Sequence, residues 1–264
     1  MLTEVKKHFK LMATCFKYNI LRAMDNRASF IGQVLGMILN NGIMIVQWVV
    51  LFSLKDNIGG YGFKEVLMLW GFAAATYGVA HTFFQNTFNI SSLIVGGKLD
   101  AFLVQPKDTL IYMGSSSSSI SALGDILYGF IILIVVKANF VTWLLFILLA
   151  ITGGLIIASF SIIWHSLSFW FGNMDDFANV MNANMVNMAT YPDGIFSKEM
   201  KWLFLTLIPV SFTVHIPIKI VGELNITLLL ITIAFSIGLT IVAYVIFNKG
   251  LKRYSSSNLM SARI

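Results

Sequence analysis

Gly96-Gly97-Lys98-Leu99-Asp100-Ala101-Phe102-Leu103-Val104-Gln105-Pro106-Lys107-Asp108, followed by five consecutive serines at 115–119, is the longest interior polar interruption in this sequence. Long apolar runs flank it on both sides. Gly96-Gly97-Lys98 reads as a turn, and Pro106 fixes its own φ and removes a backbone donor, so residues 89–119 read as a stiff connector between two hydrophobic helices. Hydrophobic residues make up 57% of the chain and charged residues 11%, whereas soluble domains carry about 25% charge. The fold class this implies is all-α, a polytopic membrane protein with no stretch resembling a soluble domain.

Working outward, each crossing needs about 20 predominantly apolar residues. The expected spans are residues 29–53, a second within the charge-free run 66–97 ending near Phe88, then 117–136, 140–170, the short and polar 177–190, and 224–247. Residues 202–218 are apolar enough to suggest a seventh, but Pro209, Pro217 and His215 argue against a lipid-facing helix, because lipid cannot replace the backbone bond a proline removes. Charge agrees. With six spans and the N-terminus inside, the inner segments hold 12 Lys and Arg and the outer ones 6, the direction of the positive-inside rule; a seventh span would put the basic tail outside. Residues 191–223 are therefore read as a re-entrant or outer-leaflet segment broken near Pro209. The net charge of +6 resides at the membrane edges, so nucleic acid is not the implied partner.

Residues 1–27 lack the apolar core and small-residue cleavage site of a signal peptide. Val5, Phe9, Met12, Phe16, Ile20 and Ala23 recur at spacings of 4, 3, 4, 4 and 3, with Lys6, Lys7, Lys10 and Lys17 opposite. Such a helix lies in the membrane interface or docks on a partner. Gly32-x-x-x-Gly36 and Gly71-x-x-x-Ala75 offer close helix packing.

Candidate chemistry is sparse. The lone Cys15 excludes an internal disulfide and a cysteine zinc site. His8, His81, His165 and His215 show no ligand spacing, the serine run lacks a G-x-S-x-G frame, and no phosphate-binding loop G-x-x-x-x-G-K-[ST] occurs. Nucleotide chemistry, if the protein does driven work, lies on another chain. Asp125 falls about 18 Å along a helix from Lys137, inside the bilayer edge; a carboxyl there is either a structural polar contact or functional. In the fifth span Met174, Met181, Met185 and Met188 share one face, and Asn173, Asn179, Asn182, Asn184 and Asn187 occupy the rest. The asparagines either line a path or glue helices together.

The order of these parts resembles a type-2 ABC exporter permease. Gly97-Lys98-Leu99-Asp100 with Leu103 and Pro106 is similar to the G-x-L-D-x-x-L-x-x-P element of one bacterial branch; Ala122-Leu123-Gly124-Asp125, Tyr191-Pro192, Ile208-Pro209 and Pro217 match that branch in order. The serine run departs from it, since relatives are more mixed and charged there. The resemblance implies a single transmembrane domain over 1–264: an interfacial helix at 1–27, a cytosolic coupling loop at 89–116, an outer re-entrant segment at 191–223 and a cytosolic tail at 248–264. It implies no catalytic residue, cofactor or metal on this chain, with ATP and magnesium on two partner ATPase subunits, and a second permease completing a homodimer or heterodimer. Gly97, Leu99, Asp100, Leu103 and Pro106 would meet the ATPase. Replacing Leu99, Asp100 or Leu103 is expected to uncouple transport without unfolding the permease. Asp125, Asn182, Asn187, Trp202 and His215 are the expected path or outer-gate residues for an amphipathic cargo (lipid-like, peptide or drug-like) leaving across a bacterial cytoplasmic membrane, with both termini cytosolic. The competing readings are a membrane-embedded lipid-modifying enzyme, which would need convergent His, Asp or Ser at one depth, and a non-transporting anchor or immunity subunit of an ATPase.

Overall fold

Every regular element among the described residues is helical, apart from a bridge between Ile58 and Tyr61. The computed structural model describes residues 2–255, with side chains from Lys6 onward; residues 256–264 of the expected tail, Arg263 among them, and the Val5 side chain lie outside the described residues. α1 (Leu2–Ala23) leads into α2 (Arg27–Leu54), which is capped by Asn26, whose Oδ1 accepts from Ser29 N at 3.0 Å. α3 (Phe63–Phe83) follows. The polar interruption holds three short helices, α4 (Ile90–Val95), α5 (Asp100–Leu103) and α6 (Thr109–Ser115). Then come α7 (Ser121–Val135), α8 (Phe140–Ser166) continued by α9 (Ser168–Phe171), α10 (Asp175–Ala189), α11 (Lys198–Thr206), a π turn at Ser211–His215, α12 (Ile216–Glu223) and α13 (Ile226–Leu251).

Four helices are long and apolar enough to cross a membrane: Arg27–Leu54, Phe63–Phe83, Phe140–Phe171 and Ile226–Leu251. The pair Lys198–Thr206 and Ser211–Glu223, bent by 86°, makes a fifth if it counts as one span. The break falls at Pro209, where the sequence put it. The expected third and fifth spans are helices of 15 residues each, about 22 Å, shorter than a hydrocarbon core of about 30 Å. The third loses its expected first turn because Ser117–Ser119 is not helical: Ser119 N donates to His81 O at 3.0 Å and Asn19 Nδ2 donates to Ser118 Oγ at 3.0 Å.

α3 is the buried centre of the bundle, packed on α7 and α8, with α13 outside α8 and α2 outside α7. Small residues set these distances. A Cβ on Gly71 would lie 3.1 Å from Ile132, and one on Gly129 would lie 2.9 Å from Ala75, so Gly71-x-x-x-Ala75 is a packing seam. Gly32 and Gly36 face open space and pack against nothing among the described residues. On α2 only Val34, Asn41 and Trp48 are buried, one seam at sevenfold spacing. A second, smaller apolar cluster (Ile90, Ile94, Leu99, Met113, Phe169 and Phe247) sits under the polar interruption.

α1 docks on α6 and the end of α3. Phe16 stacks obliquely on Phe83 at 5.0 Å, and Met12, Ile20 and Ala23 are half-buried. Phe9 departs from the expected stripe at 73% exposed; His8, Leu11 and Cys15 take the docked side instead. At the opposite end of the bundle Lys219 Nζ meets Asp193 Oδ2 at 3.3 Å, tying α12 to the segment after α10. Burial alone would raise the Asp193 carboxyl, but the Lys219 ammonium outweighs it and holds the group below the ordinary carboxylate range.

Candidate functional site

α10 is anchored through its methionine side: Met185 is fully buried and Met181 and Met188 pack on the core. Asn179, Asn182 and Asn187 are thereby turned toward a cleft between α10, α3 and α2, whereas Asn184 borders neither of its cavities. The two adjoining cavities, of about 500 Å³ and about 440 Å³, share Tyr77, Ile157, Val186 and Asn187 as walls. The larger is bordered by Asn40, Asn41 and Gln47 of α2, Asp125 of α7 and Tyr191. The smaller reaches the loop end through His81, Gln85 and Asn182. His81 is sandwiched, 4.0 Å from the Tyr77 ring and 3.8 Å from Phe88, and its Nδ1 donates to Gln85 Oε1 at 2.8 Å.

Asp125 is almost fully buried at 4% exposed. Its Oδ1 accepts from Asn41 Nδ2 at 2.6 Å, and Oδ2 has no partner among the described residues. The Asn41 bond fastens α2 to α7, while the second carboxylate oxygen lies on a cavity wall.

Below the cleft, polar side chains join the loop to α10 in one network. Ser91 Oγ of α4 meets Ser168 Oγ at 2.6 Å and donates to Asn173 Oδ1 at 3.3 Å. Ser168 Oγ accepts from Met174 N at 3.2 Å, just before α10 begins. Within α10, Asp175 Oδ1 lies 3.4 Å from Nδ1 of the buried His165, and Asn182 Nδ2 donates to Ser161 Oγ at 3.1 Å and faces His165 Nε2 at 3.5 Å. His165 is thus a bridge between helices; among the described residues no group of three or more His, Cys, Asp or Glu could hold a metal ion.

The loop itself is built on a buried anchor. Leu99 is 0% exposed in the cluster with Ile94, Phe169 and Phe247, whereas Leu103 is 40% and Val104 78% exposed, and Pro106 and Lys107 lie on the surface beside them. α13 holds the loop from behind: Tyr244 Oη donates to Asp108 Oδ2 at 2.6 Å, while Asp108 Oδ1 caps α6 through Ile111 N at 2.9 Å. Burial, with the neighbouring Asp100 carboxylate adding to it, pushes the Tyr254 hydroxyl up to about 12.

A family model described as ABC-2 family transporter protein matches residues 38–258, well over half of the chain. The chain belongs to the ABC-2 transporter family. It is a multi-pass membrane protein and an ABC-2 membrane component, and ABC-2 permeases generally pair with ABC ATPase subunits. Comparison with curated proteins and with solved structures gave no match.

In this ABC-2 permease the residues singled out from sequence divide into groups. Asp125, Asn182 and Asn187 come together on the cleft walls. His215 is buried behind it, its Nε2 donating to the carbonyl of Tyr191, a wall residue, at 3.0 Å. Trp202 is 70% exposed on α11 and borders neither cavity. Of the loop residues, Leu103 and Pro106 are on the outer surface, Gly97 makes the turn with φ +66°, Asp100 is half-buried, and Leu99 faces inward. A change at Leu99 therefore reaches the core, contrary to the expectation that it would leave the fold intact. Asn40, Asn41, Gln47 and Tyr77 went unnoticed in the sequence. For Asn40 and Gln47 a signal was present: Met37, Asn40, Met44 and Gln47 repeat at spacings of 3, 4 and 3 inside an otherwise apolar span, one face of a helix. The Ser91–Ser168–Asn173 network had no such signal, because its members lie far apart in sequence.

Proposed function

We propose that this chain is the six-span membrane half of an ATP-driven exporter in a bacterial cytoplasmic membrane. It works with two ATPase subunits that carry ATP and magnesium, and with a second permease, a like copy or a relative. The loop 89–116 is the coupling element and, with both termini, faces the cytosol. α7 and α10 count as the third and fifth spans, their short lengths completed by flanking loops, and α11–α12 forms a broken segment in the outer leaflet. The cleft between α10, α3 and α2 is the path of an amphipathic cargo.

The observation that carries this reading is the two-sidedness of the loop. Exposed Leu103, Val104 and Pro106 form a small apolar outer surface on a rigid base made by Leu99 and the Tyr244–Asp108 bond. The base in turn connects through Ser91 and Ser168 to the start of α10, which walls the cleft. Force applied at the loop surface has a stiff route to the helix that borders the path.

Affinity purification of the tagged protein from its native membrane in mild detergent, followed by an ATPase assay, tests the reading. A subunit with nucleotide-binding motifs is expected to co-purify with wild type and to be lost with Leu103→Asp, while the variant stays monodisperse. If no ATPase accompanies wild type under conditions that preserve complexes, the coupling assignment fails.

A further inference from the structure

We infer that the cleft is a binding site for a cationic amphipath, with Asp125 as its counter-charge; this rests on the cleft being the substrate path and names the class of cargo. The walls of both cavities carry one carboxylate, Asp125, and no lysine or arginine. That carboxylate is 4% exposed, its Oδ1 held by Asn41 at 2.6 Å and its Oδ2 unpartnered among the described residues. A carboxylate buried at membrane depth normally finds a cation, a donor set or water. Here the donor set is half complete, and the missing partner is a positive group arriving from the cavity.

The rest of the wall suits such a ligand. Trp70, Tyr77 and Tyr191 supply aromatic surface to the same cavity, and aromatic faces attract cations, most strongly where water is excluded. Met37 and Met44 add soft, adaptable apolar contacts. The amides of Asn40, Gln47 and Asn187 serve polar groups of either kind and set no sign of charge. An anionic headgroup would meet Asp125 with no compensating cation. The charge preference therefore comes from one residue, and the shape and apolar preference from the rest.

Two ions of nearly identical size and opposite charge test this directly: tetraphenylphosphonium and tetraphenylborate. Each is titrated against purified protein in phosphatidylcholine nanodiscs, with uptake by empty nanodiscs subtracted. Tetraphenylphosphonium is expected to bind wild type saturably, and Asp125→Asn to weaken it roughly tenfold or more, the loss of one charge-assisted contact. Tetraphenylborate is expected to show no saturable binding. Comparable binding of both ions, or tetraphenylphosphonium binding unchanged by Asp125→Asn, overturns the proposal. If Asp125→Asn does not yield monodisperse protein, the two probes on wild type decide by themselves. ATPase co-purification plays no part in this titration. Loss of charge preference in a chain that does co-purify with an ATPase removes the cargo class and keeps the transporter; a charge-selective site on a chain without an ATPase does the reverse.

Discussion

Leu99 and Leu103 lie one helical turn apart in the same loop, the first wholly enclosed and the second, at the end of the turn, 40% exposed. Truncating a fully buried leucine removes its transfer energy and leaves a cavity, about 2–5 kcal/mol, whereas an exposed leucine away from any packed surface is worth within about 0.5 kcal/mol. Leu99→Ala should therefore lower the melting temperature of the purified chain by several degrees, and Leu103→Ala should leave it unchanged. Equal destabilisation by the two would mean that the loop surface is packed in the isolated chain and has no free face to offer an ATPase. The sequence motif marks both leucines but cannot tell them apart. What decides between them is Phe169 and Phe247, brought under the loop from helices far along the chain. Asp125 was legible for the opposite reason: a lone carboxyl in an apolar run has an energetic cost that spacing alone exposes. Its partner Asn41, 84 positions away, was not.

At the scale of elements, periodicity found α2, α3, α8 and α13, because each is long and apolar enough to need no help from its surroundings. It was less certain wherever polar contacts override pattern. The serine run ends one helix and delays the next because its hydroxyl and backbone groups bond to α1 and α3. α1 rotates so that His8 and Cys15 dock while Phe9 faces out, which a stripe of apolar residues alone could not foresee. The asparagine and methionine sides of α10 were visible in sequence, but the attachment of its N-terminus to α4 was not. That attachment is measurable. Ser91 Oγ and Ser168 Oγ are 2.6 Å apart and both buried, and Ser168 also receives Met174 N. Ser91→Ala, Ser168→Ala and the double variant form a cycle in which melting should be non-additive by about 0.5–1.5 kcal/mol, the net worth of one hydrogen bond. The second substitution should cost less than the first. Strict additivity would show that α4 and α9 are not bonded through this pair, and the proposed route from loop to cleft would lose its first link.

Across the whole molecule, the exposed faces of α2 and α10 differ in chemistry. On α2, Ile31, Leu35, Leu39, Ile43, Val46 and Val50 are exposed, an all-apolar surface that acyl chains satisfy. On α10, Asp176, Asn179, Val180, Ala183 and Asn187 are exposed at helical spacing. Lipid offers nothing to amides or to a carboxylate, and each such group left unsatisfied in hydrocarbon is costly. On the two-permease arrangement proposed above, the α10 face is the one that a second permease would cover and the α2 face the one that would meet lipid. A photo-reactive residue distinguishes them: Val180→benzoylphenylalanine on α10, with Leu39→benzoylphenylalanine on α2 as the contrast. Irradiation in native membranes should join the α10 probe to protein. A product at twice the chain's mass identifies a like copy, and a product with another polypeptide of similar mass identifies a related permease. The α2 probe should capture lipid. Were both probes to capture only lipid, the cleft would open to the bilayer instead of to a partner, and cargo entry would have to be lateral on a permease that works without a second half.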